Sequence, residues 1–483
     1  MRRMGLRTPA EYVASLRDNR TVYFRGQRVP DVTEHPALRI GIDHAAIDFA
    51  LAEEPEHRDL AVLDGCSRYF KMPESSDDLL KRSALIELST RKGATMVCLV
   101  KEIGTDCLFA LTRVAQQTDV KFGTEYAPRV RQMYERCRHG DLAIAVAQSD
   151  VKGDRSKGPS QQADPDQYVR IVSRDSKGIV VRGCKVHTSV SVNANELFVI
   201  PTRAMTEADA DYAAAFAIPV ATEGLKLIAS PYDTHPKNRF EHPLSAEHKM
   251  FETMTVFDDV FVPWERVFLA GEWQMAGPLA LGFVDYHRLT AISYKLPLVD
   301  LLVGAAFCMA EYNGIEKAGH VRDKLIWLIS YAETLRALTR HACMECVQTP
   351  EGLVKPHTLT VNMAKHHFAA HYHQALAYVQ DITGGLAATA PSLEDFESAE
   401  LSGYLLKYLA GKAPYSAEER LRMINLVQDL TASDFAGYHA VLAIHAEGSI
   451  EAEKLAILRE YDPRPAVSYA QSLVSPVPSK GEG

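Results

Sequence analysis

The sequence predicts an α+β fold in which a helical unit, a β unit and a helical bundle follow one another. Three observations carry that prediction. Apolar residues recur at helical spacing through residues 1–145, alternate with polar ones within 146–275, and return to helical spacing over 276–460. A chain of 483 residues has room for about three units. Its 47% hydrophobic and 24% charged residues match a globular chain with a sizeable core, so disordered and collagen-like classes are excluded.

The first unit opens on Thr8-Pro9-Ala10-Glu11, a capping-box pattern with proline at the first helical position, which starts a helix through Tyr12 and Leu16. Leu79, Leu80, Leu85 and Leu88 form one helical stripe, and Glu125 to Arg138 form a further segment. In the second unit Tyr168 to Val172 alternates, Asp175-Ser176-Lys177-Gly178 is a turn cluster, and Ile179 to Val186 returns as a strand, so a hairpin is expected. Glu196 to Ile200 and Met254 to Val262 add strands. From Leu279 long apolar-periodic segments dominate, broken near Thr349 to Gly352, Thr383-Gly384-Gly385 and Gly411 to Pro414. The tail, 461–483, is rich in Pro, Ser and Gly and is expected to be an arm or a disordered end.

Fifty-three basic and sixty-two acidic side chains leave a net −9, without the basic excess a nucleic-acid binder needs. A small-molecule substrate is expected instead. The longest apolar stretch, Leu296 to Ala310, is too short to cross a membrane and contains Asp300. The first twenty residues carry charges where a secretory signal has an apolar centre, so a cytoplasmic protein with eight free cysteines is expected.

The densest polar stretch is Gln148 to Gly158. Lys152, Arg155 and Lys157 supply cations, Ser149 and Ser156 hydroxyls, and Gly153 and Gly158 close backbone approach. That pattern reads as a phosphate or pyrophosphate cradle or as a solvated charged loop. No G-x-G-x-x-G or G-x-x-x-x-G-K-[ST] is present, which removes Rossmann and P-loop sites. The run from His187 to Asn193 carries small hydroxyls that suit a heterocycle edge or simply backbone bonding. His287 and Tyr294 or Lys295 lie seven and eight apart and share a helical face. Cys343 with Cys346, and His367 with His371, have ligand-like spacing but lack supporting ligands, so no metal is expected. Gly384-Gly385 reads as a helix end or as backbone approach to a ligand, from a neighbouring subunit.

Together, DVKGDRSK, HTSVSVNANE, VFDDVFVP, the YHR helix start, GAAFCMAEYNGIEKAGHVRDKL and DITGGL resemble the flavoprotein family containing 4-hydroxyphenylacetate 3-monooxygenase and 4-hydroxybutyryl-CoA dehydratase. The resemblance covers about residues 5–460 and is nearer to the dehydratase branch. It implies an acyl-CoA dehydrogenase-like fold, a homotetramer, and FAD held by Gln148, Ser149, Lys152, Asp154, Arg155, Ser156, His187, Thr188, Ser189, Gly384 and Gly385. It also implies catalytic roles for His287 as base, Glu252, Lys295 and Tyr294. The dehydratase branch holds an iron–sulfur cluster, and its four ligand positions correspond here to Cys98, Glu102, His287 and Tyr294. Two oxygen groups replace thiolates, so no cluster is expected. A second family glutamate is expected near Val441 to Leu442 and has no match there. The hydroxylase branch's substrate-gripping Arg, Tyr and His would fall at Ile103, Cys107 and Val146.

The resulting expectation is a cluster-free FAD oxidoreductase that desaturates or monooxygenates a small acid carried as its CoA thioester. The alternatives are a redox-neutral vinylacetyl-CoA-type Δ-isomerase or 4-hydroxyacyl-CoA dehydratase, a two-component aromatic hydroxylase served by a separate flavin reductase, and a flavin-binding scaffold without catalysis.

Overall fold

In the computed structural model, which describes residues 5–232 and 234–474, helices, strands and helices succeed one another as expected. The Thr8 hydroxyl accepts the Glu11 N–H while Glu11 accepts the Thr8 N–H, which starts the helix Pro9–Ala14. Ser75 and Asp78 do the same for Ser76–Lys92. Glu102–Phe122 and Tyr126–Gly140 complete the helices of the first unit.

That unit is not purely helical. Val22–Phe24 and Gln27–Val29 form a short pair, and Val22–Phe24 runs parallel to Leu225–Ala229 as part of a six-stranded sheet. Three residues are too few for an alternation to show in sequence. The sheet continues through Glu252–Pro263, Gly178–Ser189 and Arg170–Arg174. A second sheet has the order Val267–Ala270, Ala214–Pro219, Glu196–Val199, Ile144–Ala147. Its last strand spans the expected boundary at 145/146. The sheets meet face to face, with Phe216 edge-on to Phe257 at 5.9 Å.

The expected hairpin forms between Arg170–Arg174 and Gly178–Ser189, its turn closed by Asp175 accepting the N–H groups of Lys177 (2.7 Å) and Gly178 (3.0 Å). Farther along, Gly178–Ser189 carries one residue more than its partner: Thr253 faces Thr188, but Thr255 faces Lys185. The excess is absorbed at His187, which takes a left-handed φ of 54° and is exposed.

The bundle is built on the 37-residue helix Ala276–Tyr312. By length and composition it could cross a membrane. Instead Leu289, Ile292, Leu296, Val299 and Leu302, at spacings of three and four, are buried among Ser76–Lys92, Glu102–Phe122, Gly319–Met344 and Thr358–Thr383. Each such side chain contributes roughly 1.5–3 kcal/mol by leaving water, so the helix is the core of the bundle. Ala417–Thr431, Asp434–His445 and Ile450–Glu460 pack across Thr358–Thr383. All eight cysteines are free thiols. Part of the tail expected to be an arm or disordered is the helix Arg464–Val474, which buries none of its residues; 475–483 lie outside the described residues.

Candidate active site

Four segments bring ionisable groups together where the bundle meets the β unit. His287, Tyr294 and Lys295 come from Ala276–Tyr312, and Glu252 begins the strand Glu252–Pro263. Tyr438 comes from Asp434–His445, and Glu447 from the short link before Ile450–Glu460.

Sequence reasoning does not find Glu447. The glutamate expected near Val441 to Leu442 is absent there, because those positions are still helical; Glu447 follows the helix end, with φ of 55°, next to Gly448 at 110°. Its carboxylate accepts from Lys295 Nζ at 2.9 Å and from the Tyr294 hydroxyl, and Lys365 Nζ stands 3.8 Å away. Its carbonyl accepts from Arg288 Nε at 3.2 Å. Burial alone would raise the Glu447 pKa, but Lys295, Lys365 and His287 outweigh it and hold the carboxylate down to about 2. Burial drops Lys295 to about 8, against the pull of Glu447. A stop signal after His445, Glu-Gly, is the available clue.

Glu252 accepts from Ser189 Oγ (2.9 Å) and Tyr438 OH (2.7 Å). Burial, with the Glu447 charge adding to it, raises its pKa against those two hydrogen bonds. Tyr438 stacks on Tyr232 at 4.5 Å. The His287 ring stacks on Phe283 at 5.0 Å, and its Nδ1 lies 3.1 Å from Asp106 Oδ2. A largely apolar cavity opens beside Tyr294 and Lys295, lined by Val97, Met250, Leu298, Phe368 and Leu442.

The expected cofactor contacts divide. The Gln148–Gly158 loop is pinned to the bulged strand: Val186 N–H donates to Ser149 O at 2.9 Å, and buried Lys185 donates to Gln148 O (2.8 Å), Asp150 (2.6 Å) and Ile200 O (3.1 Å). Asp154 and Ser156 bond each other at 2.6 Å, and Lys157 pairs with Asp154 at 3.3 Å. Lys152 and Arg155 stand exposed without a carboxylate partner among the described residues. Gly153, with φ of 53°, keeps the loop compact, since a Cβ there would meet Gln162 Oε1 at 2.6 Å. His187 faces the same loop. Desolvation first, then Lys152 and His445, push its pKa below the ordinary imidazole range. A pyrophosphate fits this set of cations and open backbone.

Two of the expected side chains bond within the protein. Beyond the bulge Thr188 points inward, fully buried, where its hydroxyl accepts from Thr255 at 2.9 Å. The Ser189 hydroxyl is given to Glu252. Gly384 and Gly385 are exposed at the end of Thr358–Thr383, with open space where side chains would stand. The His367 and His371 rings are 4.9 Å apart, but each has a ring nitrogen bonded to a backbone carbonyl.

The four cluster-equivalent positions do not form a donor set. Cys98 Sγ donates to His44 O at 3.5 Å, His287 Nδ1 is taken by Asp106, and the Tyr294 hydroxyl is taken by Glu447. Glu102 accepts from the Lys101 N–H at 3.2 Å and lies against Asp48, whose carboxyl is raised well above the usual range by burial first and Glu102 second. An iron–sulfur cluster does not fit these residues.

A family model described as 4-hydroxyphenylacetate 3-hydroxylase N terminal matches residues 8–269, and its C-terminal counterpart matches 276–475. The chain is 32% identical to the 4-hydroxybutyryl-CoA dehydratase/vinylacetyl-CoA-Delta-isomerase of Clostridium aminobutyricum, over 94% of this chain and 96% of the relative. It is 30% identical to the 4-hydroxyphenylacetate 3-monooxygenase oxygenase component of Thermus thermophilus, with 89% of each covered. A crystal structure of the oxygenase component of 4-hydroxyphenylacetate 3-monooxygenase complexed with FAD superposes with a TM-score of 0.90 at 27% identity, covering 97% of this chain and 98% of that one. Butyryl-CoA dehydrogenase from Megasphaera elsdenii, at TM-score 0.50 and 15% identity over 93% and 96% of the chains, shares the fold.

Proposed function

Because the chain belongs to the 4-hydroxyphenylacetate 3-hydroxylase family, we propose that it is an FAD-dependent oxidoreductase without an iron–sulfur cluster, acting on a small acid carried as its CoA thioester. The observation that carries this reading is the fate of Cys98, Glu102 and Tyr294, three of the four cluster-equivalent side chains, which are engaged elsewhere, beside an intact set of acid–base groups at His287, Glu252, Lys295 and Glu447.

Lys152 and Arg155 would hold the FAD pyrophosphate, with Gln148, Ser149 and His187 along the same edge; Gly384 and Gly385 would serve a neighbouring subunit's cofactor in a homotetramer. FAD, when bound, supplies two-electron chemistry, by accepting hydride or, once reduced, by reacting with dioxygen. His287 takes the α-proton that a thioester carbonyl acidifies. Lys295 and Tyr294, held by Glu447, keep a fixed positive and hydroxyl lining opposite the acyl group, and Glu252, whose pKa burial raises, stands beside them as an acid–base group. The narrow apolar cavity favours a short acyl chain. The protein would work in the cytoplasm, and a monooxygenase reaction would draw on a separate flavin reductase.

Anaerobic titration with butyryl-CoA tests this: flavin absorbance bleaches, and the protein contains no stoichiometric iron. Stoichiometric iron, or a flavin silent to every short acyl-CoA yet active with 4-hydroxyphenylacetate, reductase and oxygen, overturns it. The acid–base pair of Glu252 and His287 also suits a redox-neutral Δ-isomerase, marked by conversion of vinylacetyl-CoA to crotonyl-CoA without bleaching.

A further inference from the structure

The imidazole at the centre of this reading is tied on one side. His287 Nδ1 lies 3.1 Å from Asp106 Oδ2, and Asp106 Oδ1 lies 2.7 Å from Arg82 Nη2. Asp106 is wholly buried on Glu102–Phe122, and Arg82 is buried on Ser76–Lys92. Arg82 is itself fixed by the carbonyls of Tyr69 (3.0 Å) and Glu102 (2.9 Å) and by the Thr105 hydroxyl (2.9 Å). It therefore supplies the buried carboxylate with a counter-charge that cannot swing away. A carboxylate only accepts, so the nitrogen facing it carries the hydrogen, and in the neutral ring the other nitrogen then holds the lone pair. Phe283, stacked flat on the ring, limits its rotation.

We propose that Asp106, clamped by Arg82, is a positioning residue that fixes His287 as the Nδ1–H tautomer and so makes Nε2 the atom that receives the substrate proton. The proposal rests on the reading of His287 as the base. As Nε2 bonds the α-hydrogen, the C–H bond breaks and its electron pair stays on the α-carbon, conjugated with the thioester carbonyl. The new imidazolium then faces Asp106 directly, with Glu447 near enough to interact with it. Neither Asp106 nor Arg82 touches substrate in this account; both act through the ring.

The test begins with a readout that needs no substrate. In holoenzyme labelled with [15N]histidine, solid-state NMR reports which His287 nitrogen carries hydrogen, the resonances being identified by their loss in His287→Gln. The expected result is hydrogen on Nδ1. In Asp106→Asn, Arg82 holds the amide oxygen, so the amide N–H faces the ring and the hydrogen moves to Nε2. The same variant slows exchange of the butyryl-CoA α-hydrogen with deuterium oxide by about 10³–10⁴-fold, the loss typical of a wrong tautomer, while the butyryl-CoA Kd stays within about threefold. Hydrogen on Nδ1 in both proteins overturns the proposal. A moved hydrogen with unchanged exchange leaves the tautomer assignment standing and overturns His287 as the base, so the two failures are told apart. Should Asp106→Asn not fold, the paired replacement R82Q/D106N removes both buried charges, keeps a donor for the amide oxygen, and is read in the same way.

Discussion

Replacing Glu447 by glutamine removes one charge from a buried pair without changing its size. At 2.9 Å and an effective dielectric constant of about 20, the Lys295–Glu447 attraction is about 6 kcal/mol gross. Much of that offsets desolvation, and removing one partner of such a pair costs about 3–5 kcal/mol net, because the other charge is left buried alone. With an unfolding entropy of about 2.1 cal/mol/K per residue, 483 residues give about 1 kcal/mol/K, so the loss appears as a Tm drop of about 3–5 °C. The pH dependence has a definite sign. The folded Glu447 is held at about 2, below its unfolded value, so its contribution is present above the usual carboxylate range and is lost only as pH falls towards 2. Lys295 gives up its proton as pH rises through about 8, and the ion pair goes with it. The E447Q penalty is therefore full at pH 6.5 and smaller at pH 9. Thermal melts followed by circular dichroism measure it, alongside K295M and K295M/E447Q; the double variant regains most of the loss. A drop under 1 °C at pH 6.5, or an equal drop at pH 9, refutes the reasoning.

Three further outcomes can be checked. K152A and R155A each weaken FAD binding about tenfold at low salt, as loss of one charge-assisted contact does, and the difference shrinks in 0.5 M NaCl; fluorescence titration that finds neither effect removes the cradle. E252Q lowers turnover at least 100-fold with FAD affinity unchanged, and wild-type turnover in that variant excludes Glu252 from proton handling. Gly448→Ala places a Cβ 2.8 Å from Arg288 Nη2, at a φ of 110° that alanine rarely adopts; kcat falls with Glu447 displaced, and an unchanged kcat shows that the link tolerates strain.

The parts of the site that were legible lie where local pattern and resemblance agree. His287 lies on a long apolar helix, eleven residues past its start at Ala276, Glu252 begins a strand with clear alternation, and the cradle is dense in charge and glycine. Asp106 and Arg82 are illegible because each sits among other polar residues of its helix with nothing to mark it out, and the partner that explains a buried charge is distant in sequence: 181 residues separate Asp106 from His287. Glu447 is hidden by register, since the expected position near Val441 to Leu442 falls inside the helix Asp434–His445 and the glutamate stands beyond its end. The inward turn of Thr188 depends on the bulge at His187, and a single inserted residue reverses which side chains face a cleft. The same limit applies to Val22–Phe24, whose place in a sheet depends on a strand about two hundred residues later.

The position of Glu447 has a consequence for when the protein becomes competent. The cradle, the bulged strand and His287 all precede in the chain the segment that carries Glu447. Lys295 thus gains its counter-ion only when that later segment is in place. That place depends on the helices that pack over Thr358–Thr383. On the proposed reading, a cut in the Ala446 to Ser449 link would spare the pyrophosphate cradle and loosen the hold of Glu447 on Lys295 and Tyr294.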